Sequence, residues 1–121
     1  MINVLKAIKK EMTSLGINYV FDDWKSTKRL PYFVGEIDEV AHPYEDGRSD
    51  YSFMLTGENK SSYQPLIEVG NALKNRYKYT RLLNIDNGVL AITYNNMILV
   101  PVEDEDIKRV QINLSIKLWE N

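Results

Sequence analysis

The sequence contains no cysteine, which excludes disulfides, thiolate chemistry and cysteine-based zinc sites and leaves the compartment open, with a lean towards the cytoplasm. Histidine occurs once, at His42 ahead of Pro43. With no second histidine to complete a metal set, it reads as a loop residue. Neither sign of charge dominates: 15 Lys+Arg against 17 Asp+Glu give a formal net charge of -2. There is no broad basic field for nucleic acid and no polybasic face for anionic lipid, so neither is expected as a primary partner. Glycine is sparse, and Gly35, Gly47 and Gly57 stand apart. No glycine-rich phosphate loop, dinucleotide fingerprint, G-x-S-x-G or H-E-x-x-H motif is present. Long hydrophobic runs are missing too. Met1 to Lys6 has neither the apolar core of a signal peptide nor the length of a membrane span, so a soluble, unexported chain is expected.

What is present is a globular composition, 44% hydrophobic, 26% charged and 11% aromatic over 121 residues. That suits one domain, residues 1–121, around a single core. The clearest pattern is Arg109 to Trp119, where apolar and polar residues alternate throughout. A period of two places Val110, Ile112, Leu114, Ile116 and Leu118 on one buried face of a strand, and Gln111, Asn113, Ser115, Lys117 and Trp119 on the other. A strand this long predicts neighbours pairing along it and helices over its apolar face.

In chain order, Ile2, Leu5, Ile8, Met12 and Leu15 recur at helical spacing, with Lys6, Lys9, Lys10 and Glu11 assigned to the solvated side. Gly16 suits a C′ position, and Ile17 to Phe21 reads as a strand. After a polar loop from Asp22 to Leu30, the segments Tyr32–Val40 and Tyr51–Thr56 form a long β-hairpin, whose connection from about Ala41 to Asp50 is polar enough to project as a contact tip. Gly57-Glu58-Asn59-Lys60 is expected to break the strand. Ser61 or Ser62 caps a second helix with Pro65 in its first turn and Leu66, Ile67, Gly70, Leu73 and Tyr77 on one face. Gly70 there predicts close approach to the sheet or to another helix. Lys74, Arg76, Lys78 and Arg81 favourably meet the dipole at its carboxyl end. Leu82 to Ile85 and Val89 to Tyr94 are strands around Asp86-Asn87-Gly88, and Asn95-Asn96 predicts a hairpin turn before Met97 to Val102 returns. The fold expected is α+β: a mostly antiparallel sheet of about five to six strands covered by two amphipathic helices, in the order α-β-(long β-hairpin)-α-β-β-β.

Carboxylates are the one residue type with catalytic scope. Glu36 and Asp38 share a strand face and could hold Mg²⁺ or Ca²⁺, but no lysine is placed beside them, and the run Glu103 to Asp106 lacks the spacing and glycine of an EF-hand loop. Solvated surface is the plainer reading, and no metal or cofactor is assigned.

Five segments in register add a resemblance. Pro31-Tyr32-Phe33-Val34-Gly35-Glu36, Glu45-Asp46-Gly47, Phe53-Met54-Leu55-Thr56-Gly57, Tyr94-Asn95-Asn96 and Lys108 to Lys117 resemble small tail proteins of long, non-contractile-tailed bacteriophages and prophages of low-GC Gram-positive bacteria, over roughly Leu30 to Trp119. Size and element order are similar to the tail terminator, or tail completion, proteins. The resemblance implies a non-enzymatic structural protein without a cofactor, made in the host bacterial cytoplasm and residing in the virion tail. It implies a ring, usually a hexamer, that ends tail-tube polymerisation, with copies of itself, the major tail tube protein and a head-completion protein as partners. Another head-tail joining, tail-tube or minor tail role remains open, as does a metal-dependent enzyme using Glu36 and Asp38.

Abundant tyrosine fits an interaction module, because the ring offers contact area and the hydroxyl a hydrogen bond. A closed ring needs two different complementary patches on each subunit. One is expected at the hairpin from Tyr44 to Tyr51, the other at the outer sheet edge or the second helix. The interface residues expected are Tyr44, Glu45, Asp46, Arg48, Tyr51, Arg109, Gln111 and Trp119.

Overall fold

Thirteen residues of amphipathic sequence open the chain as helix α1, Ile2–Ser14. Gly16 stops it with φ +71. The amide of Gly16 donates to the Thr13 carbonyl and that of Ile17 to the Met12 carbonyl, at 3.0 and 3.1 Å. This paired closure satisfies the last carbonyls and needs a left-handed residue where the glycine stands. The computed structural model describes residues 1–22, 29–41 and 47–120. It continues with β1 (Tyr19–Phe21), β2 (Tyr32–Ala41), β3 (Arg48–Lys60), α2 (Gln64–Tyr77), β4 (Arg81–Ile85), β5 (Gly88–Val100) and β6 (Ile107–Glu120). The α+β architecture is the one expected.

The six strands form one sheet in the order β1-β2-β3-β6-β5-β4. Among the described residues, β1 and β2 pair in parallel and the other neighbours are antiparallel. Strand β6 therefore lies between β3 and β5, and its alternation is realised as written, with Val110, Ile112, Leu114, Ile116 and Leu118 buried. Both helices cover that inner face. Val4, Ile8 and Met12 of α1 and Leu66, Leu73 and Tyr77 of α2 join Phe33, Phe53, Leu55, Leu90 and Ile92 in one cluster. Among the described residues, no helix lies on the outer face. Length adds a second exposure: at about 1.5 Å per helical residue and about 3.3 Å per strand residue, the helices span roughly 20 Å and the long strands roughly 45 Å.

Four expectations change. Gly57 to Lys60 does not break the strand, because β3 pairs with β6 as far as Lys60 opposite Ile107. A Cβ at Gly57 would run into the Phe33 ring, so the glycine marks close packing and not an end. Asn95-Asn96 is not a turn either. Strand β5 continues through it with a bulge between Tyr94 and Asn96, so the antiparallel connections on this side are β4–β5 and β5–β6. The buried stripe of α1 is rotated: Ile2 is 67% exposed, whereas Glu11 is only 7% exposed. Finally, β3 begins at Arg48, so much of the connection assigned to a projecting tip is strand; residues 42–46 lie outside those described.

The second helix keeps part of its predicted terms. Its N-cap is Tyr63, without a side-chain cap bond; Ser62, one residue earlier, accepts from the Gln64 amide through Oγ at 3.1 Å, Pro65 stands in the first turn, and Leu66, Gly70, Leu73 and Tyr77, but not Ile67, are buried. A Cβ on Gly70 would meet the Met97 thioether of β5, the close approach to the sheet that this glycine predicts.

Candidate interaction surface

The outer face sorts its residues by charge. On β3, β6 and β5 the side chains Ser52, Met54 and Thr56, then Gln111, Asn113 and Ser115, then Thr93, Asn96 and Ile98 lie side by side in register. All are half-buried or exposed, and none is charged. Amides and hydroxyls tie the field together. Asn95 Nδ2 donates to Ser115 Oγ at 2.7 Å and Asn113 Nδ2 to Asn96 Oδ1 at 2.8 Å, while Gln111 Nε2 donates to Asn113 Oδ1 at 3.3 Å. Charged residues stand around this field. Arg109 meets its register partner Glu58 through Nε at 2.9 Å and through Nη2, and Arg48 pairs with Asp50 at 3.0 Å. Glu36 and Asp38 line the β2 side. At the start of β2 the outer face is closed, since Tyr32 and Val34 are buried.

The expected interface residues divide accordingly. Arg109, Gln111 and Trp119 share the outer face of β6, and Trp119 lies opposite Arg48 on β3 and Val89 on β5. Arg48 stands at the same end. Tyr51 differs: it is 5% exposed and belongs to the core cluster, and burial with the nearby Glu39 carboxylate raises its phenol above the ordinary range. Its ring packs inward, so it is no free contact residue in the isolated chain. Tyr44, Glu45 and Asp46, like His42, fall outside the described residues. Glu36 is half-buried and Asp38 exposed on the same strand, and among the described residues no group of three or more His, Cys, Asp or Glu side chains could hold a metal ion.

Sequence reasoning missed a polar knot beneath α1. The Glu11 carboxylate accepts from the Tyr77 hydroxyl at 2.7 Å and from Arg81 Nε at 3.0 Å, with Arg76 Nη1 at 3.5 Å. Burial, followed by its bond to Glu11, pushes the Tyr77 phenol well above its ordinary range. Two members of the supposed dipole cluster thus serve an ion pair joining α1, α2 and β4. The available signal was spacing: Val4, Ile8, Glu11, Met12 and Leu15 also fit the template i, i+4, i+7, i+8, i+11.

No family model and no curated protein matches the chain. Among solved structures, one chain with no descriptive name superposes with a TM-score of 0.76 over 98% of this chain and 94% of its own length, at 10% identity. That likeness speaks for the α+β fold alone.

Proposed function

We propose that this chain is a structural protein of a bacteriophage or prophage tail, a terminator that closes into a ring on the head-proximal end of the tail tube. Its partners are further copies of itself, the major tail tube protein and a head-completion protein, and it resides in the virion. The observation that supports this best is the charge-free field of the outer sheet face within an ionic rim. Depletion of charge at the centre of a patch, with polar and charged groups around it, is the composition of protein interfaces. The long strands give such a patch a rigid base, and the resemblance supplies the kind of assembly.

The test is genetic and visual. A lysogen deleted for this gene should produce headless particles whose tails overrun the normal length, and supplying the gene in trans should restore defined tails under the electron microscope. Normal tails from the deleted strain would refute the terminator role.

A further inference from the structure

Among the described residues the sheet has two unfinished borders. Strand β4 pairs only with Gly88–Ile92 of β5, so among the described residues no strand lies beyond Thr93–Val100. Strand β1 pairs only with Phe33–Gly35 of β2, which likewise leaves Glu36–Ala41 without a strand neighbour on that side. An open edge presents backbone donors and acceptors to any strand that approaches, and folded chains commonly blunt such edges with charge or proline. The two borders differ in that respect. Glu36, Asp38 and Glu39 crowd the β2 border with negative charge, whereas no residue from Val89 to Val102 is charged. Past the bulge, Asn96–Val100 keeps regular register with β6, and Ile98 and Leu99 are 45% and 49% exposed.

We infer that the β5 border, Asn96–Val100, is completed by the β2 border, Glu36–Ala41, of a second copy of this chain. Direction permits it: three successive antiparallel pairings, β2 with β3, β3 with β6 and β6 with β5, make β2 and β5 antiparallel to each other. Within one chain Asp38 stands level with Thr93, through Ser52 and Ser115, so a copy that sets Asp38 opposite Ile98 as the next antiparallel strand is turned about an axis inclined to the strands and displaced along them by four residues, about 13 Å. Charge selects the same pairing. Two β2 borders would oppose like acids. The β5 border itself carries none, and near its Thr93 end, where Thr80 bonds Thr93 at 3.0 Å, stands the basic Lys78. Joining unlike borders makes the contact heterologous, and repeated rotation closes a ring or extends a filament. Closure rests on the ring-forming reading above; the pairing does not.

The absence of native cysteine makes the contact directly readable. Full-length Asp38→Cys and Ile98→Cys proteins, one carrying a mass tag, are mixed and oxidised, and the products are separated without reductant. A mixed disulfide exceeding both self-linked products is expected, together with at least tenfold weaker self-association of a folded Ile98→Asp protein by sedimentation, since it sets like charges opposite one another. Dominant Ile98→Cys self-linking would overturn the inference in favour of a two-fold dimer, and so would the absence of any cross-link or an unchanged Ile98→Asp association. Failure of the native chain to cap isolated tail tubes, with the mixed disulfide intact, would sink the terminator reading alone.

Discussion

Removing the Glu11 carboxylate should damage the fold more than any surface charge, and the arithmetic can be worked from its partners. In Glu11→Ala the Tyr77 hydroxyl, on a fully buried ring, loses its acceptor, at a cost of about 1 to 3 kcal/mol. Arg76 and Arg81 keep 24% and 43% of their side-chain surface in water, so they resolvate, and each lost pair counts for less than about 1 kcal/mol. The lost methylene adds about 0.8 kcal/mol. The sum spans about 2 to 6 kcal/mol. For 121 residues at about 2.1 cal/mol/K each, a loss of 3 kcal/mol lowers Tm by roughly 12 °C. Urea and thermal unfolding followed by circular dichroism measure both quantities. Glu11→Leu combined with Tyr77→Phe removes both partners of the buried bond and should be more stable than the two single losses added together. A loss below about 1 kcal/mol in Glu11→Ala, or strict additivity in the double variant, would refute the buried knot.

Three further outcomes can be checked. Gly57→Ala forces a methyl group against the Phe33 ring and should lower stability by about 1 to 3 kcal/mol by urea midpoint; an unchanged midpoint would mean that the ring yields freely. Burial raises the Tyr19 phenol to about 12 and raises Tyr51, Tyr77 and Tyr94 as well. These groups stay neutral in the fold but ionise near 10 when unfolded, so their contribution is complete below pH 10 and declines as pH rises towards 12. Unfolding midpoints that stay level from pH 9 to pH 11.5 would contradict it. Trp119→Ala should weaken self-association while leaving a folded monomer in circular dichroism; a variant that unfolds would assign the indole to the core.

The legible parts of the sequence were those governed by one local rule. Strand β6 could be read because alternation alone decides its two faces, and Gly16 and Gly70 could be placed because each answers a nearby geometric demand. The misread parts were those where a distant strand overrides local chemistry. Asparagine tolerates backbone conformations used by both turns and bulges, and only the uninterrupted pairing of β5 with β6 selects the bulge at Asn95. Gly57 to Lys60 has the composition of a loop, yet β6 continues alongside it and holds it extended. Glu11 was given to solvent on its charge, because nothing local announces that Tyr77 and Arg81, more than sixty residues away, will meet it. The charge-free outer field was half legible: one strand's share could be seen from Arg109 to Trp119, but the rows beside it depended on register.

The position of β6 also sets an order of events during synthesis. Without β6, the strands β1-β2-β3 and the strands β5-β4 share no ladder, and β6 is translated after all of them. Until it emerges, β3 and β5 each hold a long open border and an apolar face with no sheet to complete. Its arrival joins Arg48 to Trp119 and Gly88 to Glu120, contacts of large sequence separation that close slowly. A nascent chain halted before Ile107 would be the form most exposed to aggregation and most in need of a chaperone.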